Sequence, residues 1–145
     1  MSKVITSDNE IAALLSKTKR VAVVGISDRA DRPSNGVSRW LLAQSHLDLY
    51  FVNPALTTIF GKPCYPSLRD IPVHIEMVDI FRKVSDIPAV VDEAIEIGAE
   101  SIWIQLGLVD EVSATRAVDA GLDVVMDLCI KVEYERLKSV ISPQE

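Results

Sequence analysis

Short blocks of apolar, mostly β-branched residues recur along the chain, each closed by a glycine, a proline or a charge. Residues 20–25 read RVAVVG, 47–54 read LDLYFVNP, 76–83 read EMVDIFRK, 101–107 read SIWIQLG and 122–127 read LDVVMD. Blocks this short and this rich in Val and Ile predict buried strands. Helical periodicity fills the intervals. Ser7 and Glu10 have the spacing of a capping box and open a first helix ending near Ser16. Residues 34–45 carry Val37, Trp40, Leu41 and Leu42 on one stripe. Ile87, Val90, Val91, Ala94 and Ile95 repeat at helical spacing, with Pro88 in the first turn and Gly98 where a C-terminal cap belongs. Residues 110–120 predict a helix stopped by Gly121, and residues 130–140 a last helix, with a fraying end from Ser142.

Strands that are apolar on both faces and alternate with helices predict an α/β fold: a single Rossmann-like three-layer domain, a five-stranded parallel sheet with helices on both faces. Residues 53–70, with Pro54, Gly61, Pro63 and Pro66, read as a long irregular link with at most one helical turn at 67–70. No repeat or linker divides the chain, so residues 1–145 form one expected domain.

Composition narrows the function. The chain has 145 residues, 48% hydrophobic and 25% charged, the balance of an ordinary globular domain. Its net charge of -6 disfavours general nucleic-acid binding and attachment to anionic membranes. No apolar run reaches the roughly 20 residues of a membrane span. The polar start predicts no secretory signal and a cytoplasmic protein, in which Cys64 and Cys129 are reduced thiols. Two Cys and two His far apart in sequence make a structural zinc site a poor expectation.

Candidate chemistry collects at the strand exits, where open α/β sheets bind ligands. After the first strand come Gly25, Ile26 and Ser27, then Arg29, Arg32, Pro33 and Ser34 at the start of a helix. A glycine turn, hydroxyls, helix amides and guanidinium groups together suit an anion. Three Arg against two Asp between Gly25 and Trp40 make this stretch locally positive. The dinucleotide fingerprint is broken, because Ser27 and Ala30 stand where glycines are required, and Asn53 replaces the acid expected after the second strand. Asn53 can meet a ribose or adenine edge, or cap the turn before Pro54. Phe81, Arg82 and Lys83 after the third strand suit adenine stacking and a phosphate, or are a buried Phe followed by solvated charges. Ser85 and Asp86 are expected to cap the next helix. Gln105 and Gly107 are expected to face the crevice, whereas Trp103 belongs to the core. Cys129 reads as a small buried hydrophobe, and His46 and His74 as surface or cap residues.

These motifs, in order, resemble a known family. VVGIS at 23–27, RPS at 32–34, VNP at 52–54, GKPCYPSL at 61–68, VDIFR at 78–82, IWIQLG at 102–107 and VVMDLCIK at 124–131 are similar to the small bacterial and archaeal CoA-binding proteins of the YccU type. Those are Rossmann-like domains akin to the CoA-binding domain of the succinyl-CoA synthetase α subunit. The resemblance covers residues 7–138. Trp40 and Leu128 depart from it, standing where the family often has Tyr and Arg. It implies a site for coenzyme A or an acyl-CoA. Gly25, Ile26, Ser27, Arg32, Pro33 and Ser34 would hold the phosphates. Asn53 and Pro54 would line the nucleotide side, and Phe81, Arg82, Lys83 and Ile87 would border the adenine and ribose 3′-phosphate. The synthetase's phosphorylated His lies in a second domain, so binding carries over and ligase chemistry does not. The alternatives are an NAD(P)-linked enzyme, a CoA-dependent acyl-transfer protein using Cys129 or Cys64, and a phosphoacceptor domain built on Asp79 and Lys131. The last lacks an acidic pair, since Gly25, Ile26 and Ser27 occupy its place.

Overall fold

The computed structural model describes residues 1–144. Seven strands form one sheet: β1 (Arg20–Val24), β2 (Asp48–Val52), β3 (Thr58–Ile59), β4 (Lys62–Tyr65), β5 (Met77–Ile80), β6 (Ser101–Ile104) and β7 (Asp123–Met126). Their spatial order is β3-β4-β2-β1-β5-β6-β7. All neighbours pair in parallel except β3 with β4. Five helices accompany them: α1 (Asp8–Lys17), α2 (Pro33–Gln44), α3 (Ile87–Glu96), α4 (Glu111–Asp119) and α5 (Ile130–Arg136). The five apolar blocks are β1, β2, β5, β6 and β7.

The sheet differs from the expected five-stranded one by the β3–β4 hairpin inside residues 53–70. Its two-residue turn is Phe60 and Gly61, both with positive φ (55° and 72°), the backbone that a tight hairpin of this twist requires. Pro63 is tolerated because β2 pairs only with Cys64 and Tyr65, beyond it, so no ladder bond is lost there. The expected single turn at residues 67–70 is present as a 3-10 turn over Leu68–Asp70.

Each face carries its own core. Alternate strand residues Val21, Val23, Phe51, Met77, Trp103 and Val125 pack with residues of α1, α2 and α5. Ala22, Val24, Val78, Ile80, Ile102 and Val124 pack with residues of α3 and α4. The two-residue alternation of a strand divides these sets, and burial on both sides explains the uninterrupted apolar runs. The edge at β7 is covered by the N-terminal segment, whose Ile5 N–H donates to the Val124 carbonyl at 2.7 Å. That arrangement protects an otherwise open strand.

Helix ends follow local chemistry. Ser7 caps α1 through its Oγ, which accepts from the Glu10 N–H. Asp110 does the same for α4 at the Ser113 N–H. Gly98, at φ 75°, ends α3. The last helix stops at Arg136, short of the expected 140, and turns follow it. Ser142 and Gln144 are tied back to Ser16 instead of fraying, at 2.9 and 3.2 Å. Glu145 lies outside the described residues.

Candidate functional site

From β1 the chain steps to β2 on one side, and after the hairpin it returns to β5 on the other. Strand order therefore reverses between β1 and β5, and the helices that follow diverge to opposite faces. A crevice is forced at the carboxyl ends of these two strands. A cavity of about 610 Å³ occupies it.

Gly25 forms its floor, and the reason is steric. Its φ is +90°, and a Cβ there would stand 2.6 Å from the Phe81 carbonyl oxygen and 2.8 Å from Arg82 Cδ. Only glycine lets the β1 exit lie against the β5 exit. Beyond it the loop is held by its own polar groups. The Ser27 N–H donates to Ser34 Oγ at 3.0 Å, the Arg29 N–H to Ser27 Oγ at 3.1 Å, and Asn35 Nδ2 to the Ser27 carbonyl at 2.9 Å. Asn35 is in turn fixed by Arg39 Nε at 2.8 Å. Helix α2 then starts with Pro33 and has no side-chain cap from Arg32, so its positive end opens on the cavity wall formed by Pro33 and Ser34.

Cations surround this floor. Arg29, Arg32, Arg82 and Lys83 all line the cavity, concentrated at the β1 and β5 exits in a chain of net charge -6. Arg29 pairs with Asp31 at 3.3 Å on the surface. Arg82 is half-buried and directs Nε and Nη2 to Asp86 Oδ2 at 3.3 and 2.9 Å. Asp86 occupies the N-cap position of α3 but makes no cap bond. Its carboxylate orients Arg82, which corrects the expectation that it caps the helix.

The β6 and β7 exits complete the wall with Gln105, Leu106, Leu108 and Cys129. Gln105 is buried; its Nε2 donates to Asp79 Oδ1 in the sheet interior, and its Oε1 accepts from the Ile130 N–H at 3.4 Å. The second oxygen of Asp79 has no partner. Burial pushes the Asp79 carboxyl up to about 8, partly opposed by the Gln105 bond, so the group is mostly protonated at neutral pH. That burial also removes it as a phosphoacceptor.

Of the residues singled out in the sequence, Gly25, Ile26, Ser27, Arg32, Pro33, Ser34, Asn53, Phe81, Arg82 and Lys83 lie together on this cavity. Pro54 and Ile87 do not line it. Ile87 is fully buried in the core at the start of α3, and Pro54 lies inside the turn that Asn53 opens. The Asn53 side chain is spent on the scaffold, its Nδ2 donating to the Ile26 carbonyl at 2.7 Å and its Oδ1 accepting from the Ala55 N–H at 2.8 Å. Gly107 turns away, its N–H held by Asp127 Oδ1 at 2.7 Å. Cys129 is half-buried on the cavity wall, not sealed in the core. Cys64 is buried off the cavity, and desolvation raises its thiol above the ordinary value, which disfavours it as a nucleophile. His46 bridges Tyr134 Oη and the Thr18 carbonyl at 2.7 and 2.9 Å, and His74 pairs with Glu100 at 3.1 Å. Leu106 and Leu108 escaped the sequence reading, because an apolar pair after a strand carries no mark of exposure.

The model of the CoA binding domain family matches residues 19–135, which spans β1 to α5. The chain belongs to this family. A Bacillus subtilis protein named uncharacterized protein YneT is 38% identical over 128 residues, covering 88% of this chain and 94% of that one. A solved structure described as a hypothetical protein from Pyrococcus horikoshii OT3 is 36% identical, with a TM-score of 0.88 and coverage of 95% of this chain and 98% of its own. The acetate–CoA ligase (ADP-forming) I of Archaeoglobus fulgidus is 35% identical over 75 residues, 52% of this chain but only 11% of the ligase. A dinucleotide-forming acetyl-coenzyme A synthetase from Ca. Korarchaeum cryptofilum, 23% identical with a TM-score of 0.71, shares the fold over 78% of this chain and 26% of its own.

Proposed function

We propose that this protein binds coenzyme A or a CoA thioester in the cavity at the β1/β5 switch point, without chemistry of its own. The observation that carries the reading is a glycine-floored crevice, ringed by four cations, in a chain of this family. CoA offers a diphosphate and a ribose 3′-phosphate, and the residues fit both. The hydroxyl protons of Ser27 and Ser34, the open first turn of α2 and the Arg32 guanidinium suit the diphosphate. Arg82 and Lys83 suit the 3′-phosphate, and Phe81 offers an aromatic face to the adenine. Asn53 acts by holding the Ile26 carbonyl, and so shapes the loop from behind. Pro54 and Ile87 support the wall without touching the ligand.

An NAD(P) enzyme is the weaker reading. The acid that would hold the ribose hydroxyls after β2 is Asn53, whose amide is already consumed by backbone partners. A CoA binder of this kind belongs in the cytoplasm with its ligand, where free Cys64 and Cys129 remain reduced. No helix among the described residues is long and apolar enough to cross a membrane.

The test is the Arg82→Ala variant titrated with CoA and with dephospho-CoA. A partly exposed guanidinium on a phosphate predicts a loss of about five- to tenfold for CoA and a much smaller one for dephospho-CoA. Equal losses would remove Arg82 from the 3′-phosphate.

A further inference from the structure

The cavity lies at the carboxyl ends of the strands. At their amino ends, just before β5 and β6, a different set of side chains meets. His74, Glu76 and Glu100 each bring one potential ligand atom to within 4.8 Å of the other two. Strand register places them there. Met77 pairs with Ser101, and the Glu76 carbonyl accepts from the Glu100 and Ser101 N–H groups at 2.8 and 3.0 Å. Glu76 and Glu100 therefore stand side by side. His74 and Glu76 flank Ile75, which is buried, so both turn outward on the same short segment.

The charges of this trio are unbalanced. Like charges on neighbouring strands weaken a sheet unless something offsets them. Among the described residues no Lys or Arg side chain pairs with Glu76 or Glu100. The one ion pair is with His74, whose Nε2 lies 3.1 Å from Glu100 Oε2. Glu76 is also held in advance. Its Oε1 accepts from the backbone N–H groups of Lys19 and Arg20 at 2.7 and 2.8 Å, while Oε2 has no hydrogen-bond partner among the described residues. Support of this kind, from behind, is what orients a metal-binding side chain.

We propose that His74, Glu76 and Glu100 bind a divalent transition-metal cation, with Zn²⁺ the preferred one. One imidazole nitrogen and two carboxylate oxygens make a mixed donor set. The nitrogen disfavours Mg²⁺ and Ca²⁺, and the lack of a thiolate disfavours softer ions. Ligand atoms around a tetrahedral zinc stand about 3.4 Å apart. The His74–Glu100 pair is already that close, and both side chains are exposed and free to swing toward Glu76. Water takes the fourth position. The proton between His74 Nε2 and Glu100 leaves as the metal enters. A structural zinc site built on Cys and His remains a poor expectation; this set has one His and no Cys. The cation ties the segment before β5 to the start of β6 and does not touch the cavity, so this inference is independent of the CoA reading.

Zn²⁺ titrated into the untagged protein, with the imidazole nitrogens followed by NMR, tests this, because the chain has only two His. His46 has both ring nitrogens engaged, by Tyr134 Oη and the Thr18 carbonyl. Stoichiometric Zn²⁺ should shift the His74 Nε2 signal and leave the His46 signals in place. Mg²⁺ at the same concentration should shift neither. Losing an outer-shell partner costs about 10–100-fold in metal affinity, so losing a ligand, in His74→Ala or Glu100→Gln, should weaken Zn²⁺ at least about tenfold by calorimetry. Both positions are exposed, so these variants keep the fold; Glu76 is left intact because it holds the start of β1. A His74 signal unmoved by saturating Zn²⁺ overturns the proposal, and zinc held by a cysteine alone would give that result. Zn²⁺ affinity unchanged in both variants overturns it as well.

Discussion

At the scale of single residues, Gly25 and Asp79 carry opposite lessons. Gly25 combines a left-handed φ with a carbonyl oxygen 2.6 Å from where a Cβ would lie. Gly25→Ala should cost about 2–4 kcal/mol in urea unfolding, because the backbone strain and the displacement of Phe81 add. Gly61→Ala, at φ +72° with no atom within 4 Å, should cost only about 1–2 kcal/mol. Equal costs would deny the close approach of the β1 and β5 exits. Asp79 is a carboxyl kept neutral by burial, with a folded value near 8 against an ordinary 3.8. Between those values the native state holds a proton that the unfolded state has released, so stability falls as pH rises from about 4 to about 8 and then levels off. Asp79→Asn keeps the acceptor for Gln105 and removes the titration. Its stability should gain on the wild type across that window and run parallel above it; urea midpoints at pH 5 and pH 8.5 measure this. Identical pH profiles for the two proteins would contradict it.

At the scale of elements, a buried indole helps to hold the β7–α5 connection. Trp103 Nε1, on β6, donates to the Leu128 carbonyl at 2.8 Å, next to Cys129 on the cavity wall. Trp103→Phe leaves that carbonyl without its partner and should cost about 2 kcal/mol. It should also speed alkylation of Cys129 while leaving buried Cys64 slow; unchanged rates at Cys129 would show that the indole does not fix this loop. The elements also show where a sequence stops being legible. Strands buried on both faces announce themselves through uninterrupted Val and Ile, and the capping chemistry of Ser7 and Asp110 is written locally. The hairpin was hidden because its two strands are short, its turn uses Phe60 in a left-handed conformation, and Pro63 argues against a strand unless the neighbour's register is known. The loop after β1 and the β5 cations were legible as residue types at strand exits. What Asn53 and Asp86 do was not, since both choose among nearby partners only once the exits of β1, β2 and β5 are brought together. Leu106 was invisible for a simpler reason: exposure is a property of the turn's anchor on Asp127, 20 residues away.

At the scale of the whole molecule, a chain of net charge -6 places Arg29, Arg32, Arg82 and Lys83 on one rim of its sheet. The long-range field opposes an anionic ligand and the local one favours it, so raising salt changes affinity less than it would for a basic protein. Ligand-dependent stability reads the whole arrangement at once, because a molecule that binds only the folded state raises its melting temperature by mass action. Thermal unfolding with CoA, dephospho-CoA, NAD and ATP at matched concentrations is the most direct measurement. The largest upward shift should come with CoA, a smaller one with dephospho-CoA, and little with NAD. A clear shift with NAD and none with CoA would contradict the account.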